Sequence, residues 1–152
     1  MNDPVEYVAG DEAWRERIGR EWSEMAARHM HVDDGFSIVA TSGGAPVGLI
    51  AVVWRDLPPP LPATVEAFID IIEVRPAFRR RGIAARLVQM AVARSGEHSA
   101  YQLRAWSSAD KTEAIPMWRA LGFGLCPATV YPRGEQVDGY FVALVLGASG
   151  AP

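Results

Sequence analysis

Five arginines stand between positions 75 and 86 of this 152-residue chain: Arg75, Arg79, Arg80, Arg81 and Arg86. They crowd the run Val74-Arg75-Pro76-Ala77-Phe78-Arg79-Arg80-Arg81-Gly82-Ile83-Ala84. There an apolar strand ends at a proline, crosses a short basic turn and enters a helix at a glycine. A helix start presents unpaired backbone N–H groups and the positive end of the helix dipole, an arrangement that suits phosphate. Gly82 lets the backbone come close to a ligand, and Ala84 keeps the next approach uncrowded. Arg79, Arg80 and Arg81 add charge-assisted hydrogen bonds to phosphate oxygens. The window reads as a pyrophosphate cradle, with the N–H groups of Arg80, Arg81, Gly82, Ile83, Ala84 and Ala85 as its lining. A dinucleotide fingerprint needs three glycines and only Gly82 is present, and a P-loop needs a Gly-Lys-Ser/Thr that is missing.

Just upstream, Ile69-Asp70-Ile71-Ile72-Glu73-Val74 carries two carboxylates in an apolar run. Strict alternation sends Asp70 and Glu73 to opposite faces of a sheet, unless a bulge intervenes. Partial desolvation on a central strand makes a carboxylate a better proton acceptor near neutral pH. Glu73 first and Asp70 second are therefore the candidate general bases.

Arg79, Gly82 and Ala84 fit the pattern Arg/Gln-x-x-Gly-x-Gly/Ala, and Val74-Arg75-Pro76 fits the Val-x-Pro before it, in motif A of the GNAT acyltransferase superfamily. Ala114-Ile115-Pro116-Met117-Trp118-Arg119-Ala120-Leu121-Gly122-Phe123 resembles that family's motif B, Ala-x-x-Leu/Phe-Tyr-x-x-x-Gly-Phe, and follows motif A in the required order. The resemblance covers roughly 36–146. It implies acetyl-coenzyme A as cosubstrate, with its pyrophosphate in the cradle. It implies a bulge that splays the strand from its neighbour, so that backbone groups of Ile72, Glu73 and Val74 meet the pantetheine arm and the thioester lies beside Val74. An amine, from a small molecule or a peptide, would then attack the thioester directly in a ternary complex, once a base or a water relay has removed its proton.

Two residues on the cofactor side depart from the family. Lys111 stands where Asn is common, and Trp118 stands where a Tyr can protonate the leaving thiolate. An indole N–H donates a hydrogen bond but is no acid at neutral pH. Trp118 therefore packs on or bonds the sulfur region, or is a core aromatic, and Tyr131, Tyr101, Ser107 or solvent takes the acid role. His29 and His31 are candidates to line the acceptor pocket. Asp56, Glu66, Asp70 and Glu73 would favour a cationic amine there, with Trp54 and Trp106 as aromatic walls or core. Cys126 has no base partner in sequence, which argues against a thiol intermediate. A homodimer through the late strands is a further implication of the resemblance. The rival readings are a non-catalytic acyl-coenzyme A sensor of the same fold, and a nucleic-acid module whose affinity would fall steeply with salt.

The elements that must position these residues follow from pattern. Positions 5–8 read as a strand and 12–28 as one amphipathic helix, with Trp14, Ile18, Trp22 and Met25 at helical spacing. Strands at 36–41 and 47–55 flank the turn Ser42-Gly43-Gly44-Ala45-Pro46. Pro58-Pro59-Pro60-Leu61-Pro62 makes a stiff connection. A strand at 67–74 leads through the cradle into a helix at 82–94, with Ile83, Leu87, Met90 and Ala91 as its apolar stripe and Ser95-Gly96 as its end. A strand at 101–106, a helix at 113–121 with Thr112 as N-cap and Gly122 closing it, and strands at 123–130 and 140–146 complete the order. The strand–helix–strand crossover requires a parallel pair and the hairpins antiparallel neighbours. The expected fold is α/β (mixed α+β), a mostly antiparallel sheet of six to seven strands with helices on both faces. One domain spans 1–146, and the tail 147–152 reads as disordered.

Composition narrows the setting. Hydrophobic residues make up 49% and charged residues 22%, as in ordinary soluble proteins. No apolar run reaches the roughly 18 residues of a membrane span, and Met1-Asn2-Asp3-Pro4 does not begin a signal peptide. A net charge of −3 argues against a general nucleic-acid binder. A local basic patch on an acidic chain favours a small polyanion, and one cysteine fits a reducing cytoplasm. No metal site is expected.

Overall fold

Apolar alternation and glycine turns shape most of the sheet. The computed structural model describes residues 3–60 and 63–146. The expected tail 147–152, and Leu61 and Pro62 of the proline-rich connection, lie outside the described residues. In chain order the elements are β1 (Val5–Ala9), α1 (Glu12–Glu21), α2 (Glu24–Arg28), β2 (Gly35–Ser42), β3 (Ala45–Asp56), β4 (Val65–Val74), α3 (Ile83–Glu97), β5 (Gln102–Ser108), α4 (Ala114–Ala120), β6 (Gly124–Val130) and β7 (Val137–Val145). The sheet order is β1-β2-β3-β4-β5-β7-β6, and among the described residues β4–β5 is the one parallel pair. Gly43 and Gly44, both at positive φ, close the β2–β3 hairpin. That is the backbone a two-residue hairpin turn needs.

Helices cover both faces. Even-numbered residues of β2 and β3 (Phe36, Ile38, Ala40, Ile50, Val52) pack with Ile83, Leu87, Val88 and Ala91 of α3 and with Trp118 of α4. Odd-numbered residues (Val39, Leu49, Ala51), with Ile71 of β4, pack with Ile18 of α1, Ala26 and Ala27 of α2, and Met30. The register therefore assigns every second side chain of the central strands to one of two cores.

Four sequence expectations are corrected. The single helix over 12–28 is two helices, because Ser23 accepts a hydrogen bond from Ala26 N–H and starts a new helix after the chain leaves helical geometry at Trp22. A Ser side chain that bonds the backbone this way favours a cap over helix continuation. Met25, expected on the apolar stripe, is exposed. Ser95-Gly96 does not end the third helix, which runs to Glu97 with Ser95 fully buried, and the chain reverses at Ser99 with φ 62°. Thr112 is not the N-cap of α4. Glu113 holds that position in a helical conformation with no side-chain cap, and Pro116 still falls in the first turn, where its missing N–H is tolerated. Gly122 follows α4 with φ 88°, a left-handed exit that suits glycine.

Candidate active site

The central feature is a gap inside the sheet. β4 and β5 pair only at Ala67↔Leu103 and Phe68↔Arg104, although β4 continues to Val74 and β5 to Ser108. Beyond Phe68 the backbone of β4 has no strand partner on its β5 side. At the point of divergence Glu66 is buried at 2% exposure. Its carboxylate accepts from Arg104 Nη2 at 2.8 Å, Arg104 Nε at 3.0 Å and Gln102 Nε2 at 2.8 Å. Burial pushes the Glu66 carboxyl up, but the hydrogen bonds from Arg104 and Gln102 outweigh it and hold the group below its ordinary value. The bond to Glu66 holds the Arg104 guanidinium above its own. An ion pair thus pins the last paired residues before the strands part.

A bulge lies just beyond. Ala51 opposes Ile71 and Val52 opposes Ile69, so Asp70 is the extra residue of β4. The slip changes which side chains share a face. Ile71 belongs to the core under α1 and α2, whereas Ile69 and Val74 belong to the core under α3. Glu73 opposes Leu49, a residue of the α1–α2 core. Asp70 reaches His31 in the loop after α2, with Oδ2 2.8 Å from Nε2. Asp70 and Glu73 therefore share the α1–α2 side.

At its C-terminal end β4 turns into the cradle. Arg75 N–H donates to Val47 O at 2.8 Å, Pro76–Phe78 form a single 3-10 turn, and α3 starts at Ile83. Arg80 (φ 65°) and Gly82 (φ 77°) are left-handed, and no side chain caps the first turn of α3. A Cβ built on Gly82 would meet nothing within 4 Å. The space before the uncapped turn is open, and Gly82 is required there for its φ rather than for crowding. Ile83 is buried as an anchor, Ala84 and Ala85 are half-buried, and Arg80 and Arg81 are exposed. Arg81 lies 5.0 Å from the Phe78 ring. Arg79 instead folds back, with Nε donating to Val74 O at 3.0 Å and Nη2 3.9 Å from Glu73 Oε2. It braces the strand end at Glu73 and Val74, while Arg80 and Arg81 are exposed.

Because β4 and β5 are parallel, the turn after β5 lies at the same end of the sheet as the cradle. Lys111 sits in that turn, exposed, its N–H bonded to Ser108 O at 3.1 Å. Trp118 of α4 is 2% exposed and packs edge-on against Phe123 at 4.8 Å, and its Nε1 has no hydrogen-bond partner among the described residues. Ser107, near the end of β5, is buried, and Tyr131, in the β6–β7 turn, is exposed. Tyr101 precedes β5 and bonds Val65 O, at the opposite end. His29 Nδ1 lies 2.8 Å from Met25 O, at the end of α2. Trp54, opposite Ala67 at the paired end of β4, stacks on His98, and Trp106, on the part of β5 beyond its last pair with β4, meets Phe141 edge-on. Asp56 is exposed at the end of β3 and Cys126 is exposed on β6. Sequence reasoning missed Asp34, Gln102 and Arg104, since no local pattern marks a side chain whose partner lies across the fold. No group of His, Cys, Asp and Glu able to hold a metal occurs among the described residues, and no helix there is long and apolar enough to cross a membrane.

Two of three comparisons with known proteins return matches. The profile of the acetyltransferase (GNAT) family matches residues 5–123. Among solved structures, the Arabidopsis thaliana NAA60 complex with acetyl-CoA superposes with a TM-score of 0.75 at 16% identity, covering 93% of this chain and 99% of that one. The ribosomal-protein-S18-alanine N-acetyltransferase from Escherichia coli gives 0.73 at 17% identity, covering 97% of each chain. The yncA protein of Salmonella typhimurium, a putative acetyltransferase with its cofactor acetyl-CoA, gives 0.71 at 16% identity, covering 99% and 98%. At such identities the likeness is one of fold. No curated protein matches the chain.

Proposed function

The chain belongs to the GNAT acetyltransferase family, and from that premise we propose that it is an N-acetyltransferase joining acetyl-coenzyme A and an amine acceptor in one ternary complex. The observation that carries the reading is the parting of β4 from β5 immediately beside an uncapped helix start. The open space before Gly82 and the free first turn of α3 fit a pyrophosphate. Bound there, acetyl-coenzyme A supplies an activated acetyl group whose thiol leaves readily.

The chain's own residues do the rest. Backbone N–H groups from Arg80 to Ala85 hold the phosphates, and Arg80 and Arg81 add their charge. Ile72, Glu73 and Val74 face the unpaired side of β4 and take the extended arm as a strand takes a neighbour. Lys111, at the same end of the sheet, meets the cofactor from the β5 side. Trp118 closes the gap from below as a packed wall and moves no proton. Glu73, half-buried on the α1–α2 side, is the first candidate to take the proton of the attacking amine, directly or through water, and Asp70 is the second. Arg79 near Glu73 keeps that carboxylate oriented. The acceptor, a small-molecule or peptide amine, enters from the α1–α2 side, where the shared carboxylates attract a cation. We read 1–146 as one domain acting in the cytoplasm, and its partners as an amine rather than nucleic acid or a membrane. Buried Trp118, which donates no proton, favours one second reading, an acyl-coenzyme A sensor. That reading expects binding without thiol release from any amine.

Heat stabilisation tests the cofactor assignment. A ligand at about one hundred times its Kd adds about 2.7 kcal/mol, or about 5–10 °C in Tm for a domain of this size. Acetyl-coenzyme A is expected to give such a shift while NAD and ATP do not, and Gly82→Asp, which sets a carboxylate in the cradle, is expected to abolish it. Equal shifts in the variant and the parent chain would refute the cradle.

A further inference from the structure

His31, Asp34 and Asp70 form a cluster that no sequence motif joins. The backbone of His31 is held on both sides. Its N–H donates to Ser37 Oγ at 3.0 Å, and the Ser37 hydroxyl donates to His31 O at 2.8 Å. Ser37 is itself buried at 4% exposure. Arg15 Nη2 binds the preceding carbonyl, Met30 O, at 2.9 Å. The ring is thus delivered to the β4 bulge from a fixed loop. Its Nε2 lies 2.8 Å from Asp70 Oδ2, and its Nδ1 lies 3.0 Å from both oxygens of Asp34. An ionised carboxylate only accepts, so whichever ring nitrogen carries a proton donates to the carboxylate that faces it.

We propose that His31 is a positioning residue of the acceptor side: bridging Asp34 and Asp70, it fixes the Asp70 carboxylate in the bulge with Oδ1 turned to the acceptor's ammonium group. The inference rests on the acetyltransferase reading above and adds to it the group that selects the acceptor. One imidazole ring between two carboxylates leaves a net negative charge. Asp34 is 66% exposed and loses its share to solvent, whereas Asp70 is 30% exposed and keeps its own beside the gap. Oδ1 of Asp70 has no hydrogen-bond partner among the described residues. A carboxylate anchored through one oxygen presents the other in a fixed direction, which lowers the ordering cost of binding a cation. Among the described residues, other charged side chains near this stretch are Glu73, on the same side of β4, Arg79 beside it, Arg75, whose Nη2 donates to Glu21 O at 3.1 Å, and Arg15 on Met30 O. The acceptor class that fits is a primary amine bound as its ammonium ion.

The test uses the full chain with coenzyme A, 1,5-diaminopentane as probe, and the variants His31→Ala, His31→Gln and Asp70→Asn. One readout is the 15N resonances of the His31 ring, and the other is thiol release at saturating acetyl-coenzyme A. In the parent chain the probe is expected to move the Nε2 resonance. In His31→Ala the KM for the diamine is expected to rise about tenfold, the loss of one charge-assisted hydrogen bond. His31→Gln, which still donates to Asp70, recovers most of it, Asp70→Asn matches His31→Ala, and the KM for acetyl-coenzyme A stays unchanged throughout. An Nε2 resonance that ignores the probe overturns the proposal. So does an unchanged diamine KM in His31→Ala, or a rise in the acetyl-coenzyme A KM in step with it, which marks a structural role. If acetyl-coenzyme A gives neither stabilisation nor turnover, the acetyltransferase reading has failed, and the ring resonance in the presence of the diamine alone decides the role of His31.

Discussion

Arg104→Met strips the buried Glu66 carboxylate of two of its three hydrogen bonds and leaves Gln102 as sole donor. Glu66 is 2% exposed, so it cannot turn to water without moving β4, while the Arg104 side chain is 29% exposed. Removing one partner of a buried pair costs about 3–5 kcal/mol, and partial exposure of the arginine places this case near 3 kcal/mol. For a domain of this length that lowers Tm by about 6–12 °C. Glu66→Leu/Arg104→Met removes both charges and is expected to lie within about 1 kcal/mol of the parent, because no uncompensated charge remains. Acidity gives an independent sign. The Glu66 carboxyl is held below its ordinary value in the folded chain. Its contribution is therefore present above the unfolded pKa and lost as pH falls through the lower, folded one. In Arg104→Met burial dominates, the direction reverses, and the carboxyl takes up a proton readily in acid. The deficit of the variant should then shrink between pH 7 and about pH 4, the ordinary carboxylate range. Urea titrations at the two pH values measure it. A single variant as stable as the parent at pH 7, a double no better than the single, or a deficit that grows in acid would refute the claim that this pair pins the parting of β4 and β5.

Two further outcomes follow from the same geometry. A Cβ on Gly48 meets Ile83 Cγ2 at 3.1 Å, Ala40 Cβ at 3.2 Å and Leu87 Cδ1 at 3.4 Å, so Gly48→Val overpacks the seat of α3. It should cost about 1–3 kcal/mol in chemical denaturation and, by lifting the helix start, weaken acetyl-coenzyme A binding in calorimetry. Glu73→Gln keeps shape while removing the proton acceptor. Thiol release with an accepted amine should fall about 100-fold or more with the KM for acetyl-coenzyme A unchanged, and a loss confined to that KM would instead mark Glu73 as a binding group.

Much of the proposed cofactor side is legible in the residue types alone. The arginine turn, Gly82 and the helix that follows are neighbours along the chain, so their geometry is set by local backbone preferences that residue types report directly. The same holds for the glycine hairpin at Gly43-Gly44 and the exit at Gly122. Where local pattern misleads, the cause can be named. Apolar spacing runs straight through Ser23 and hides the cap that its hydroxyl makes. Ser95-Gly96 has the look of a helix end because glycine usually marks one, yet tertiary packing against the sheet carries α3 to Glu97.

The proposed acceptor side is not legible in the same way. Asp70 and Glu73 lie in one strand, and their types and spacing say only that a bulge would change their relation. The register of β3 against β4 decides that the slip falls at Asp70 and puts both on the α1–α2 side. His31 meets Asp70 across 39 positions, and Arg104 meets Glu66 across 38. Such pairs are written by strand pairing and loop anchoring, where one residue of register moves every side chain to the other face, and no window of the chain contains both halves. What the sequence by itself determined is what neighbours along the chain do to one another. What only the tertiary structure decided is which side of the central strand carries the charge, and which distant side chains hold it there.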